Sequence, residues 1–327
     1  MGVRNFRFVP WSWSSLDEIR GAVAIDVPNY MTRRIAVLRH KRGTERVPLQ
    51  HVRILMGIVR SALARNILPV FVLDGPPERL KRKPNPSLVQ LAHRLYSSFS
   101  SSLDPYDEEI VEVLSESPAV RHYFIQSHIR DLASAMGVPA VLAPSEAELY
   151  AAVMCRDALV KTVVTNDVDA FLFGSPHVTK QLVLTRSTIL RATLDGVLHL
   201  TELSLSQLRD LAVLLGCDFH KEGLHGVGPH RGILLLRRHG DLESVLRSQG
   251  LRSSEREVFL NARLAYDEAD HVQPTESELE LNAPLPNRLA EMLRPALGQE
   301  AAASFVRELL LLWRRFGRRQ TRLEEWL

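Results

Sequence analysis

Four short runs rich in valine and isoleucine each stop at acidic residues, and this pattern limits the fold more than any other feature. Ala22 to Ile25 runs into Asp26, and Pro69 to Leu73 runs into Asp74. Val138 to Ala143 leads to Pro144-Ser145-Glu146-Ala147-Glu148, and Lys161 to Thr165 leads to Asn166-Asp167-Val168-Asp169. Apolar runs this short, without polar alternation, suit strands buried on both faces of a parallel sheet. Helical stretches lie between them, over Val52 to Ala64, Ile125 to Met136 and Leu149 to Ala158. The alternation predicts an α/β fold with a mostly parallel central sheet flanked by helices. Gln181 to Thr185 reads as a further strand, and from about Thr201 onward the pattern is nearly all helical.

Composition narrows the function classes. The chain has 327 residues, 45% hydrophobic and 24% charged, which excludes a disordered or collagenous protein. No apolar run approaches the ~18 residues of a membrane span, and Met1 to Arg7 lacks the apolar core of a signal peptide. Cys155 and Cys217 are the only cysteines, too few for a disulfide framework, so a reducing, intracellular setting is expected. Net charge is +3, and only 6 of the 41 basic residues are lysine. GC-rich coding alone produces such an arginine excess, so position matters more than count. Arg33, Arg34, Arg39, Lys41, Arg42 and Arg46 crowd one stretch, and Arg314, Arg315, Arg318 and Arg319 crowd another. Such clusters suit a polyanion, although charge runs are more often solvated faces.

Glu78 to Ser117 breaks the α/β rhythm. It opens on Arg79, Lys81, Arg82 and Lys83, passes Pro84-Asn85-Pro86, and turns acidic at Asp104, Asp107, Glu108, Glu109, Glu112 and Glu116. Lying between two strands, it reads as an insertion.

Asp26, Asp74, Glu146, Glu148, Asp167 and Asp169 fall at or just beyond the C-terminal ends of predicted strands, the edge where open parallel sheets bind ligands. A single strand-terminal Asp is more often a cap or turn residue. Several converging carboxylates must shift their pKa values or hold cations. All candidate ligands are oxygen donors, which favours Mg²⁺ or Mn²⁺. Two such ions ~4 Å apart activate water and stabilise the leaving oxygen of a phosphodiester. Glu146 and Glu148 share a site only at a helix start, because two helical residues diverge by roughly 200°; Pro144-Ser145 suits such a start. Asp167 and Asp169 share one face if the strand continues through them.

A second signature follows the helical stretch Leu208 to Leu215. Gly216-Cys217-Asp218 ends it, and Gly223-Leu224-His225-Gly226-Val227-Gly228-Pro229-His230-Arg231 leads into a new helix through Arg238. Pro229 fits the first helical position. Gly226 and Gly228 permit close backbone approach, and the helix amides with His230 and Arg231 offer a phosphate site. A tight helix–helix turn is the plainer alternative.

Together these segments resemble the flap endonuclease family of structure-specific 5′ nucleases, in its archaeal-type form. The likeness rests on Ala24-Ile25-Asp26, Val70-Phe71-Val72-Leu73-Asp74-Gly75, Ala143-Pro144-Ser145-Glu146-Ala147-Glu148, Asp167-Val168-Asp169 with Phe173-Gly174-Ser175-Pro176, and Leu214-Leu215-Gly216-Cys217-Asp218 with Gly226-Val227-Gly228-Pro229. It implies a two-metal, Mg²⁺-dependent nuclease (Mn²⁺ substituting) with Asp26, Asp74, Glu146, Glu148, Asp167, Asp169 and Asp218 as catalytic metal ligands. It implies a helix–two-turn–helix that grips duplex DNA and holds K⁺ on the backbone of Gly223, Leu224 and Val227. The insertion corresponds to an arch whose Lys81 steers the scissile phosphate. Gly2 corresponds to the processed N-terminus near the DNA junction, and Arg39 and Arg42 are further candidate DNA contacts. Thr32 stands where the family has a stacking tyrosine, and Leu88 where the arch has an arginine.

The last eight residues, Gln320-Thr321-Arg322-Leu323-Glu324-Glu325-Trp326-Leu327, resemble the sliding-clamp (PCNA) binding box, with Gln320, Leu323, Trp326 and Leu327 as its anchors. The expected organisation is a nuclease core over 1–240, containing an arch over 78–130 and the two-turn motif over 208–238. A helical part over 241–312 and a clamp-binding tail over 313–327 follow. The implied role is flap cleavage in replication (Okazaki fragment maturation) and repair, by a protein monomeric on its own and without membrane contact. Its expected place is the cytoplasm, associated with the nucleoid as for an archaeal-type protein, or the nucleus in a eukaryote. The rivals are a 5′ exonuclease or junction-cleaving relative, and a non-catalytic protein that binds branched DNA and the clamp.

Overall fold

The structure, a computed structural model, describes residues 3, 6–42, 50–75, 85–101, 108–182 and 187–324. Its strands are β1 (Ser12–Ser15), β2 (Gly21–Asp26), β3 (Ile67–Leu73), β4 (Ala140–Leu142), β5 (Val163–Val164), β6 (His177–Gln181) and β7 (Thr188–Thr193). The helices of the first half are α1 (Val27–Arg42), α2 (Gln50–Leu63), α3 (Pro86–Ser101), α4 (Glu108–Glu116), α5 (Pro118–Met136), α6 (Ala147–Arg156) and α7 (Asp169–Leu172). Those of the second half are α8 (Leu194–Thr201), α9 (Leu205–Leu215), α10 (Pro229–His239), α11 (Leu242–Ser248), α12 (Ser253–Leu264), α13 (Pro286–Leu297) and α14 (Gln299–Glu324). The α/β expectation therefore holds, as does the helical character beyond Thr201. No helix among the described residues is long and apolar enough to cross a membrane.

The chain divides into two compact units, one of Met1–Glu18, Pro76–Lys83 and Pro144–Pro274, the other of Ile19–Gly75, Pro84–Ala143 and Thr275–Leu327. In the second unit β2, β3 and β4 pair in parallel, Asp26 in register with Val72 and Phe71 with Ala140. Every residue of β3 is buried, as its unbroken apolar run requires. Pro69 has no N–H to give, and β4 begins its pairing only at Phe71, so the strand tolerates the proline. Helix α5 starts cleanly because Ser117 accepts a hydrogen bond from the Val120 N–H at 3.3 Å and Pro118 occupies the first turn. It ends at Gly137, left-handed at φ +77°, with the Val138 N–H closing back on the Ala133 carbonyl at 3.1 Å.

In the first unit the strands run β1-β7-β6-β5, with β5 and β6 parallel and β7 antiparallel to both β6 and β1. The sequence places a strand at Gln181 to Thr185, of which 183–185 lie outside the described residues; β6 spans His177–Gln181, and β1 and β7 are strands that no apolar run announces. Both added strands lie toward the sheet edge and are partly exposed, so their residues carry weak hydrophobic signals. The core beneath is Phe171, Phe173, Leu208, Leu211, Leu214, Leu236 and Tyr266, with their neighbours.

A buried ion network ties this unit's helices together. Arg209 of α9 donates to the Leu172 carbonyl at 2.8 Å and meets Asp267 at 3.0 Å. Arg263 of α12 pairs with Asp210 at 2.7 Å and with Asp267, while Asp210 also accepts the Leu242 N–H at 3.1 Å. Every charge has a partner, the condition under which buried ions are tolerated. Because Leu172 ends α7, the network also fixes the short helix that begins with Asp169.

Candidate active site

The carboxylates singled out by sequence fall into the two units. In the second unit, Asp26 closes β2 and is buried; its Oδ1 accepts the Asn29 N–H at 3.2 Å, in the first turn of α1. It is thus both a strand terminus and a helix cap. Asp74 follows β3 directly, two residues beyond the partner of Asp26 in the register. Its backbone N–H donates to Gln126 Oε1 at 2.6 Å, and its Oδ2 lies 3.4 Å from His122 Nε2. Both aspartates therefore stand at the carboxyl edge of adjacent parallel strands, where ligands bind in such sheets.

In the first unit, Glu146 is the extended residue preceding α6 (φ −94°, ψ 140°) and Glu148 lies in its first turn. The helix start that two glutamates of this spacing require is present at Pro144-Ser145. Glu148 Oε1 accepts the Ala170 N–H of α7 at 3.0 Å. Strand β5 stops at Val164, so Asp167 and Asp169 do not share a strand face; Asp167 sits in a turn and Asp169 opens α7. Beyond the strand, the Asp167 N–H donates to the Thr165 hydroxyl at 3.1 Å, a local bond that competes with further strand pairing. Asp169 is buried, and its Oδ1 accepts the Val3 N–H at 3.1 Å. Burial pushes the Asp167 carboxyl above its ordinary pKa, and the charge of Asp218 adds to the rise. Asp218 follows Gly216 in the turn after α9.

Sequence reasoning missed three neighbours. Tyr266 is wholly buried; burial drives its phenol well above the usual range, followed by the charges of Asp169, Cys217 and Asp218. No periodicity marks it, since it is a lone aromatic in a helical stretch. His122 and Gln126 flank Asp74 from α5, and their four-residue spacing, one helical face, was the available signal.

Among the described residues no three carboxylate, imidazole or thiol groups converge closely enough to enclose a metal ion. Within the first unit the chemistry of the donors suits one: Glu146, Glu148, Asp167, Asp169 and Asp218 offer only oxygens, with Asp169 buried and Asp167 resisting ionisation through burial and a like-charged neighbour. Such a set favours a hard divalent cation.

The two-turn segment between α9 and α10 forms as expected. Gly223 (φ +64°) needs to be glycine twice over, because a Cβ there would stand 2.6 Å from the Gly216 nitrogen and the Leu215 carbonyl carbon. The Leu224 N–H donates to the Leu214 carbonyl at 2.8 Å, and the Val227 N–H to the Leu224 carbonyl at 3.0 Å. Gly228 precedes α10 with open space where a Cβ would lie, and Pro229 begins the helix. Arg231 donates to the Gly226 carbonyl at 3.1 Å and to Gln249 at 3.2 Å, and the His230 ring packs edge-on against Phe8. Gly2, Lys81, Trp326 and Leu327 lie outside the described residues, as do the side chains of Arg39, Arg42, Gln320 and Leu323.

The mixed α/β fold, with carboxylates at strand ends and helix starts and a two-turn helical segment between α9 and α10, matches the fold of flap endonuclease structures. The XPG I-region family matches residues 137–218. Flap endonuclease 1 of Caldivirga maquilingensis is 29% identical over 297 residues, covering 81% of this chain and 83% of the relative. Among solved structures, flap endonuclease-1 from Methanococcus jannaschii superposes with a TM-score of 0.71 at 25% identity, covering 95% of this chain and 98% of that one. The catalytic core of Rad2 in complex with DNA substrate gives 0.65 at 20% identity, over 94% and 100% of the chains, a likeness of fold alone. The chain is therefore similar to flap endonucleases over most of its length.

Proposed function

We propose that this protein is a structure-specific flap endonuclease that hydrolyses phosphodiester bonds in 5′-flapped duplex DNA. The observation that carries the reading is the XPG I-region match, whose 137–218 span contains Glu146, Glu148, Asp167, Asp169 and Asp218. These five, with Asp26 and Asp74, would hold two Mg²⁺ ions. When bound, the ions supply an activated water and charge stabilisation at the leaving oxygen. The protein's own part is to hold the carboxylates ready. Asp26 and Asp169 are anchored by backbone N–H groups, and Glu148 is anchored to the start of α7.

Duplex grip is assigned to the two-turn motif, where Gly226, Gly228, His230 and Arg231 meet the phosphate backbone. The carbonyls of Gly223, Leu224 and Val227 are the proposed K⁺ ligands. Lys81 in the arch steers the scissile phosphate, with Gly2, Arg39 and Arg42 as further DNA contacts. The terminal box Gln320, Leu323, Trp326 and Leu327 recruits a sliding clamp (PCNA), which places the activity in replication and repair.

A labelled 5′-flap duplex incubated with and without Mg²⁺ tests the reading. The expected result is endonucleolytic cleavage with Mg²⁺ and none in EDTA. Asp169→Ala should reduce cleavage at least 10³-fold, on the order of 4 kcal/mol, while binding the flap at least as tightly, since a like-charged group has been removed. Binding without cleavage by the unaltered protein would favour the non-catalytic alternative, and release of mononucleotides only would favour an exonuclease.

A further inference from the structure

Beside Asp74, α5 presents a side chain that manages its neighbour rather than the carboxylate itself. Gln126 is buried, and its Oε1 accepts the Asp74 backbone N–H at 2.6 Å. That contact fixes the amide's orientation, so its NH₂ group is the end that faces His122 Nε2 at 2.9 Å. An NH₂ group only donates, so His122 Nε2 must accept, and the neutral ring carries its proton on Nδ1. The same Nε2 lies 3.4 Å from Asp74 Oδ2. Without Gln126, the ring is free to carry hydrogen on Nε2 and donate it to that oxygen. Among the described residues the imidazole has few further contacts. Tyr123 meets it edge-on at 5.0 Å between centroids, and a cavity of about 320 Å³ lined by Val27, Met31, Ile35 and Ile125 opens on its side. The first turn of α5 is itself anchored, because Arg121 donates to the Leu114 and Ser115 carbonyls of α4 at 2.9 and 3.3 Å.

We propose that Gln126 is a positioning residue for the site. By holding His122 as a hydrogen-bond acceptor, it prevents the imidazole from donating to Asp74 and leaves that carboxylate available to a divalent cation. The inference rests on the reading of Asp74 as a metal ligand, and it assigns His122 the role of a restrained competitor.

The test is a double-variant cycle on the full-length protein, read by Mn²⁺ binding without DNA (electron paramagnetic resonance) and by kcat and KM on the flap. Gln126→Ala should weaken Mn²⁺ binding at least fivefold and lower kcat about tenfold, with KM for the flap within twofold. His122→Phe keeps the ring volume but cannot donate, and should bind Mn²⁺ within twofold of the parent. Combining the two should recover at least threefold of the affinity lost in Gln126→Ala, an outcome that mere packing damage by Gln126→Ala does not produce. Circular dichroism melts confirm that each variant is folded. Two results would overturn the inference: parental Mn²⁺ binding in Gln126→Ala, or a double variant as weak as the single one. Because metal binding is read without DNA, absence of flap cleavage by the parent defeats the functional reading and leaves the cycle interpretable.

Discussion

His128 shows what burial does to one residue. It lies wholly inside α5, with Nδ1 2.9 Å from His51 Nε2 and the rings of Tyr96, Phe99 and Phe124 around it. Burial lowers its pKa from 6.5 to about 4, slightly opposed by Asp131. Between those values the unfolded chain binds the proton and the folded chain does not. Stability from this group is therefore complete above pH 6.5 and is lost as pH falls toward 4. The full loss is on the order of 3 kcal/mol. Urea unfolding at pH 7 and pH 4.5 should show His128→Phe losing about 2 kcal/mol less than the parent between the two conditions. An equal loss in both proteins would show that His128 is not the group that resists protonation. Asp26 carries both readings of a strand-terminal aspartate: it caps α1 through the Asn29 N–H, and it is one of the proposed metal ligands.

Several of the proposed site residues lie at the ends of elements. Helix α10 begins without a side-chain cap, at Gly228, with open space beside that residue. Gly223, a few residues earlier, is packed against the backbone of Leu214, Leu215 and Gly216. The two glycines should therefore respond differently to alanine. Gly223→Ala should cost about 2–3 kcal/mol, combining left-handed strain with a backbone clash, and lower Tm by several degrees. Gly228→Ala should stay within about 1 kcal/mol of the parent. It should weaken flap-duplex binding if the DNA backbone approaches there. Calorimetry and fluorescence anisotropy on both variants separate the fold requirement from the ligand requirement. Equal stability loss at the two positions would remove the distinction.

On the scale of the whole molecule, the C-terminal stretch tests how separable recruitment is from chemistry. Helix α14 runs from Gln299 through Arg314 and Arg315 to Glu324, so the arginine-rich stretch continues a helix instead of linking to a free tail. Its inner part is anchored in the core by Phe305, Val306, Leu309 and Phe316. Removing Gln320 to Leu327 spares those anchors. Cleavage of the flap should stay within twofold of the full chain, while stimulation by the cognate clamp disappears. Equal clamp affinity for truncated and full-length protein, measured by titration, would refute the assignment of that box.

Much of this protein was legible in its residues alone. Buried parallel strands declare themselves because both faces must be apolar, and β2 and β3 were read within two residues of their observed limits. The carboxylates were legible because they stop those runs, and Pro144-Ser145 announced the helix start that Glu146 and Glu148 need. Partly exposed strands were not, since β1 and β7 owe their conformation to hydrogen bonds with partners distant in sequence. The same reason hid the end of β5 before Asp167, where the Asp167 N–H meets the Thr165 hydroxyl in place of a strand partner. It also hid Tyr266, Gln126 and His122, whose meaning depends on what lies beside them. Local sequence determines which segments bury themselves and which positions can cap, turn or bind. Only tertiary structure decides which polar groups meet, because a hydrogen bond such as that from the Asp74 N–H to Gln126, 52 residues away, leaves no periodic trace along the chain.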